Sequence, residues 1–457
     1  MLKNLSITAL LLMLSTTLLS AQDGEKLSLQ QCIDIALSNN YDLRVAQINV
    51  ELADKDITSS RSAWLPSVNS SFNFGKYIQG RRTVKEDYPI GIDENGNYLL
   101  KEQNVKIAQT ERNSYSASVS LDQHLYDFGQ TGGRIRQSKA WRQYYEHSLF
   151  NTKNLVIANV EDKYFQLLKA VKLKNVYAEA VTHAQENLDY NQTMLDVGLK
   201  SQAEIYQAKV NLGNRKTSLI NQINAIELAK AALNSAMGPN PAMLIEVEED
   251  TPQPIFPTYN FEEAVQIALE KNDRLKAIEY EVKAAEYAIR VAKSRFAPSI
   301  GARVSYDRNN DNISRVYSAA LDENFTATIG AGINLNIFNG LADKAAVERQ
   351  KLNNELALEK LKEEKRLLIT QIREYFLMLK AYKDIIGINE ENLLAYQENL
   401  RLQQEKRRVG AGTELEVRQA QVDVIQAQET LVSAKYEAKI NRAYLDAALG
   451  IIAKENN

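Results

Sequence analysis

The chain has 457 residues, 44% of them hydrophobic, with 55 lysines and arginines against 58 aspartates and glutamates and a formal net charge of −3. That length and apolar content suffice for sizeable buried surfaces, and near-balanced charge without a basic block argues against nucleic acid as a partner. Cys32 is the single cysteine, so no intrachain disulfide can form, and it lies too far from the N-terminal apolar stretch to be a lipoprotein acylation site.

The N-terminus reads Met1-Leu2-Lys3, then an apolar stretch from Leu5 to Leu19, then Leu19-Ser20-Ala21. A basic start, a short apolar region and a small-residue cleavage site predict a signal peptide over residues 1–21, cut after Ala21, and hence an exported protein. An uncleaved anchor is the other reading of the same stretch, although it is short for a membrane-spanning helix. No apolar run of about twenty residues follows it, so any later crossing of a membrane must use β-strands.

The rest of the chain is written twice. Residues Leu29 to Asn40 match Phe261 to Asn272, and Trp64-Leu65-Pro66-Ser67 matches Phe296-Ala297-Pro298-Ser299, both at an offset of 232. Tyr126-Asp127 matches Phe338-Asn339, Val197-Gly198 matches Val409-Gly410, and Ala236-Met237-Gly238 matches Ala448-Leu449-Gly450, all at an offset of 212. The missing 20 positions fall in a polar stretch, Gly80 to Arg112, whose counterpart Asn310 to Asn324 is shorter. A loop tolerates such a difference. The expected organisation is a first repeat over 22–238, with helices 29–64, 131–196 and 201–237 and strands 67–78 and 113–126. A proline-rich connector follows over 239–259. The second repeat covers 260–450, with helices 261–296, 341–408 and 413–449 and strands 299–308 and 324–338, and residues 451–457 form a tail.

The strand readings rest on alternation. Val68, Phe72 and Phe74 fall opposite Asn69, Ser71 and Asn73, and Tyr115, Ala117, Val119 and Leu121 alternate with serines. In the second repeat Ile300, Ala302, Val304 and Tyr306 form one face, as do Phe325, Ala327, Ile329, Ala331 and Ile333. Four segments of about ten residues, apolar on one face and small or polar on the other, suit barrel strands around a wet lumen, and also suit two soluble hairpins packed on helices. Four strands cannot close a membrane barrel, so the first reading requires an oligomer, and three copies give twelve. The two longest helices carry no breaker and would each be about 100 Å long. The return helices are about 55 Å and the helices before each strand pair about 35 Å, which suggests one long helix flanked by two stacked shorter ones in each repeat.

In this plan the chain resembles the TolC-type outer-membrane efflux protein family. The resemblance covers nearly all of the mature sequence. It is carried by the duplicated halves, by the strand pair after each Leu65-Pro66-Ser67 or Ala297-Pro298-Ser299, and by the turns Val197-Gly198-Leu199-Lys200-Ser201 and Val409-Gly410-Ala411-Gly412-Thr413. It implies a mostly α fold with a β-barrel part: antiparallel helical hairpins forming a trimeric periplasmic α-barrel, and four transmembrane strands per subunit in a shared twelve-stranded barrel. It further implies a passive exit duct of a tripartite efflux or type I secretion system in a Gram-negative outer membrane. The expected partners are two further copies of the chain, outer-membrane lipid, a periplasmic adaptor (membrane fusion) protein and, through it, an inner-membrane pump of the RND or ABC type.

Chemistry gives the turn residues a first role: Gly198 and Gly410 suit the left-handed position ending a helix, Ser201 and Thr413 the N-cap of the next. The resemblance adds adaptor docking by Val197, Gly198, Leu199, Ser201, Arg408, Val409, Gly410, Ala411, Gly412 and Thr413, with Asp196 standing where the second half has Arg408. It also maps a gate acid onto Glu416, with Glu204 as its first-half equivalent, although the residues themselves read first as ordinary solvated helix residues. Gln419 and Gly412 depart from the family's other gate positions. The three histidines, His124, His147 and His183, show no metal-ligand spacing, and Gly410-Ala411-Gly412 lies between helices rather than after a strand, so neither an enzyme nor a cofactor is expected. A non-conducting envelope scaffold anchored in the outer membrane is the alternative function.

Overall fold

The computed structural model describes residues 26–238, 240–249 and 253–452. The expected signal peptide and the last five residues of the expected tail lie outside them. The described residues divide into two units: those within 26–52, 142–281 and 358–452 in one, and 53–141 and 282–357 in the other.

The helical unit is built from matching sets of helices. In the first repeat these are α1 (Leu29–Asn39), the first part of α2 (Tyr41–Ser62), most of α3 (Gln130–Asp196) and α4 (Gln202–Met237). Their counterparts are α5 (Phe261–Lys271), α6 (Asp273–Lys293), α8 (Ala342–Arg408) and α9 (Glu414–Leu449); α3 and α8 each have 67 residues, about 100 Å of helix. Two cores repeat the duplication. Val160, Tyr164, Leu167 and Leu233 are buried in one, while Ile372, Leu379 and Leu445 are buried in the other with Phe376 against them.

The expected continuous helices 29–64 and 261–296 are each interrupted, at Asn40 and Asn272. One asparagine does two jobs at each break. The Oδ1 of Asn40 accepts the N–H of Asp42 and Leu43, capping α2, while its Nδ2 donates to the last-turn carbonyl of Ala236 in α4 at 3.1 Å. Asn272 repeats this with Leu275 and with Ala448, at 2.8 Å for each bond. The glycines ending α4 and α9, Gly238 (φ 96°) and Gly450 (φ 72°), lie against the same joints. Each joint thus stacks a short helix end to end on another while satisfying both sets of terminal backbone groups.

In the strand unit, β1 (Ser67–Gln79), β4 (Thr110–Tyr126), β5 (Ser299–Asn310) and β6 (Thr326–Asn334) form an antiparallel sheet in that order. The last strand is shorter than the expected 324–338. Gly80 to Arg112 is not an open loop: it contains β2 (Arg82–Ile92) and β3 (Tyr98–Ile107), an antiparallel hairpin turned at Asn95-Gly96. The Asp93 carboxylate accepts the N–H of Asn95 and Asn97 there, both at 2.9 Å. The shorter counterpart is folded as well. It holds the helical turn α7 (Ile313–Val316) and is gathered by buried Arg308, whose guanidinium donates to the carbonyls of Val316, Ser318, Ala320 and Glu323 at 2.5–3.1 Å.

Candidate functional site: the hairpin tips and the sheet faces

Both tips end their long helices in the same way. The N–H of Gly198 donates to Leu195 and that of Leu199 to Met194, both at 2.8 Å; the N–H of Gly410 donates to Arg407 at 3.1 Å and that of Ala411 to Lys406 at 2.9 Å. With φ of 78° and 76° at the two glycines, each is a Schellman turn. Capping boxes then start the return helices. The Ser201 hydroxyl accepts the Glu204 N–H, and the Glu204 carboxylate accepts the Ser201 N–H at 2.8 Å; Thr413 and Glu416 repeat this at 2.7 Å.

The expected gate acids are therefore engaged in starting helices. The Lys200 ammonium, 2.6 Å away, and the Ser201 N–H hold the Glu204 carboxyl below the usual carboxylate range; the Thr413 N–H and hydroxyl do so for Glu416. The Ser/Thr-x-x-Glu spacing was the sequence signal for these boxes. Of the expected docking residues, Val197, Leu199 and Val409 are strongly exposed, and Arg408 pairs with Glu405 on the helix surface at 2.7 Å. Gly412 is packed instead: a Cβ there would sit 2.9 Å from Cβ of Lys406.

Sequence reasoning missed a cluster joining the two hairpins. Glu414 accepts from Asn187 of α3 and from Arg407 of α8 at 3.0 Å, and the Arg407 guanidinium lies 4.8 Å from the Tyr190 ring centroid. Carboxylate, guanidinium, amide and ring lie on three helices, so no sequence spacing announces them.

In the strand unit, the register gives the sheet two unlike faces. One row across it is Val68, Leu121, Val304 and Ile329; the neighbouring row is Asn69, Ser120, Ser305 and Thr328. The four apolar side chains are all exposed, Ile329 at 83%. Near the loop end of the same apolar face, Phe74 stacks near Tyr115 and Tyr306 near Phe325, with centroids 5.1 and 5.2 Å apart. An apolar band bordered by aromatics, with small polar residues on the opposite face, is the two-faced pattern characteristic of membrane barrel strands.

The helical unit exposes apolar side chains at its margins. Gln222 of α4 donates to α3 at Ala170, Lys169 of α3 pairs with Glu437 of α9 at 2.7 Å, and Lys435 of α9 pairs with Glu390 of α8 at 2.6 Å. These contacts run in the order α4, α3, α9, α8. The two outer helices expose Tyr206, Val210 and Ile220 on α4, and Leu367, Met378, Ile385, Ile388 and Leu402 on α8. These α8 residues are 11, 7, 3 and 14 positions apart, so they fall on two positions of a heptad, as in a coiled-coil seam, with Leu377 and Leu394 exposed beside them.

The sequence profile of the outer membrane efflux protein family matches residues 32–239 and again 264–451, once per repeat. The outer membrane efflux protein BepC of Brucella suis biovar 1 is 23% identical over 443 residues, covering 95% of this chain and 88% of that protein. Outer membrane protein TolC of Escherichia coli K12 is 23% identical over 442 residues, covering 94% and 83%. Among solved structures, CusC superposes with a TM-score of 0.77 at 18% identity, covering 92% of each chain. With both repeats matched over most of their length, the chain belongs to the outer membrane efflux protein family.

Proposed function

We propose that three copies of this chain assemble into the duct through which an efflux or secretion system empties across the outer membrane. The chain is an outer-membrane efflux channel; the trimer, the docking partner and the closing device are the parts inferred. The observation that carries the assembly is the four-stranded sheet with lipid-like and lumen-like faces, whose outermost strands β1 and β6 each pair on one side only among the described residues. In a bilayer an open edge leaves backbone groups without partners, and joining β6 of one subunit to β1 of the next removes every edge after three copies. The exposed seams on α4 and α8 support the same closure, because two different surfaces meeting head to tail generate a ring. Such a duct performs no chemistry of its own, and its energy comes from an inner-membrane pump of the RND or ABC type through a periplasmic adaptor.

The tips are the adaptor's docking points. Each offers a glycine turn and a few exposed apolar side chains, so binding there is modest and depends on close backbone approach. Glu204 and Glu416 add fixed negative charge at this end, while Arg407, Glu414, Asn187 and Tyr190 tie the hairpins together in the closed form. Planar-bilayer conductance of the purified trimer separates a duct from a scaffold; a stable, well-folded trimer that never conducts, even with Arg407→Ala to loosen the tie, would leave only the scaffold. For docking, replacing Gly198 and Gly410 together with valine strains both left-handed turns without a clash, since nothing lies within 4 Å of either Cβ position. Export and adaptor cross-linking should fall while trimer yield holds. Unchanged export and cross-linking in that variant would reduce the turns to caps.

A further inference from the structure

The polar face of the sheet carries a charged pair on a row otherwise formed by small residues. Along the row Ser67, Asp122, Arg303 and Gly330, the Arg303 guanidinium lies 3.6 Å from the Asp122 carboxylate, joining β4 to β5. Asp122 is also held by the Ser120 hydroxyl at 3.2 Å and the Asn69 amide at 3.5 Å. Gly330 and Gly332 on β6 leave open space where a Cβ would be. Arg303 and Asp122 are therefore the large charged side chains of this row, and the cavity they line also holds His124 and the oppositely charged Asp127 and Arg134. The next charged group on this face of β5, Asp307, is four residues away, about 13 Å along the strand.

Geometry makes this pair matter to anything passing. Twelve strands about 4.8 Å apart and tilted about 40° close into a ring about 24 Å across. Side chains on its inner wall therefore stand within about one Debye length, roughly 8 Å, of the axis in physiological salt. Charges at that range bias which ions and solutes enter.

We infer that the Asp122–Arg303 pair sets the charge selectivity of the duct at the level of the strands: closed on itself and repeated three times, it presents balanced charge, so the barrel does not sort cargo by the sign of its charge. This rests on the trimeric duct proposed above. Breaking the pair from either side creates a ring of one sign. Arg303→Gln leaves three Asp122 carboxylates unopposed, and Asp122→Asn leaves three guanidiniums.

The test is the reversal potential of wild type, Arg303→Gln, Asp122→Asn and the double variant in planar bilayers under a potassium chloride gradient. Relative to wild type, the permeability ratio should move about threefold towards cations for the first variant and about threefold towards anions for the second, and the double variant should return near the wild type. Both single variants keeping the wild-type ratio would overturn the assignment. A second readout is local to the pair. A cysteine placed at Gly332 is modified by cationic and anionic methanethiosulfonate reagents added outside intact cells, with Cys32 buried and silent. Arg303→Gln should raise the cationic-to-anionic rate ratio about threefold, and an unchanged ratio rejects the pair as the selectivity element whatever the currents show. Wild-type trimers that never conduct break the duct reading instead, while the labelling still reports on the ring.

Discussion

The two repeats agree where the backbone decides and differ where side chains meet different neighbours. At the joints, Asn40 and Asn272 make the same pair of bonds and Gly238 and Gly450 take the same left-handed conformation. At the tips, the Schellman turn and capping box are likewise duplicated. The divergence lies elsewhere. Glu161 in α3 stands where α8 has Arg373, Lys200 stands where the second tip has Gly412, and a long hairpin stands where the second repeat has a short strap drawn in by Arg308. Duplication therefore preserves what hydrogen-bond geometry demands of a helix end, and leaves charge and loop length free to specialise.

The largest effect should come from the shared joints. A Cβ at Gly238 would fall 2.6 Å from the Asn39 carbonyl oxygen, and one at Gly450 would fall 2.7 Å from that of Lys271. Both contacts are with backbone, which cannot swing aside, and the positive φ adds strain. Gly238→Val and Gly450→Val should each cost roughly 4 kcal/mol or more and remove the trimer from outer-membrane extracts. Equal losses would show that the joints are equivalent. Normal trimer from either variant in native gels would break the equivalence.

How much of this could be read in advance depends on whether the signal was local. The strand faces were visible as alternation, because a side-chain period of two leaves its mark in any stretch of ten residues. The tip glycines were equally plain. The β2–β3 hairpin was legible in part and overlooked: Asn95-Gly96 is a strong hairpin signal, but Pro89 and Gly91, which flank a register shift, interrupt the alternation in β2. The breaks at Asn40 and Asn272 were hidden, since each asparagine acts by reaching a helix end about two hundred residues away. The Glu414 cluster was hidden in the same way, with Asn187 227 residues from Glu414, whereas Arg308 binds backbone carbonyls 8 to 15 residues ahead, which any residue type can supply. Their partners are gathered by the fold, and no spacing records them.

A medium effect should separate Glu161 from Arg373. Burial, reinforced by repulsion from Asp446, pushes the Glu161 carboxyl up to about 7. The charged form is thus disfavoured in the folded state. The stability linked to this group is fully present below its unfolded value near 4.5 and is lost as pH rises through about 7, with a ceiling of about 3 kcal/mol per subunit. Glu161→Gln should flatten the fall in thermal stability between pH 5 and pH 8, whereas Arg373→Gln, on the exposed side of α8, should leave that slope intact. Identical slopes in wild type and Glu161→Gln would remove this contrast between the repeats.

The smallest effect lies at the tips and tests whether they are interchangeable. Lys200 projects a full side chain at 2.6 Å from Glu204, a partly exposed pair worth no more than about 0.5 kcal/mol, so Lys200→Ala should hardly change the first tip. Its counterpart Gly412 has no room: a new Cβ would meet Lys406 at 2.9 Å and the Arg407 N–H at 3.1 Å. Those atoms belong to the last turn of α8, next to the guanidinium that grips Glu414. Gly412→Ala should therefore cost about 1 kcal/mol and loosen the tie between the hairpins as the turn shifts to make space. Hydrogen exchange should show this as faster opening from Lys406 to Leu415, with protection from Met194 to Tyr206 unchanged. The same alanine at both tips would then have unequal consequences for one physical reason: the second turn is closed by contact with its own helix, and the first is held by hydrogen bonds that the alanine leaves in place. Equal exchange in the two variants would mean that this contact does not constrain the second tip.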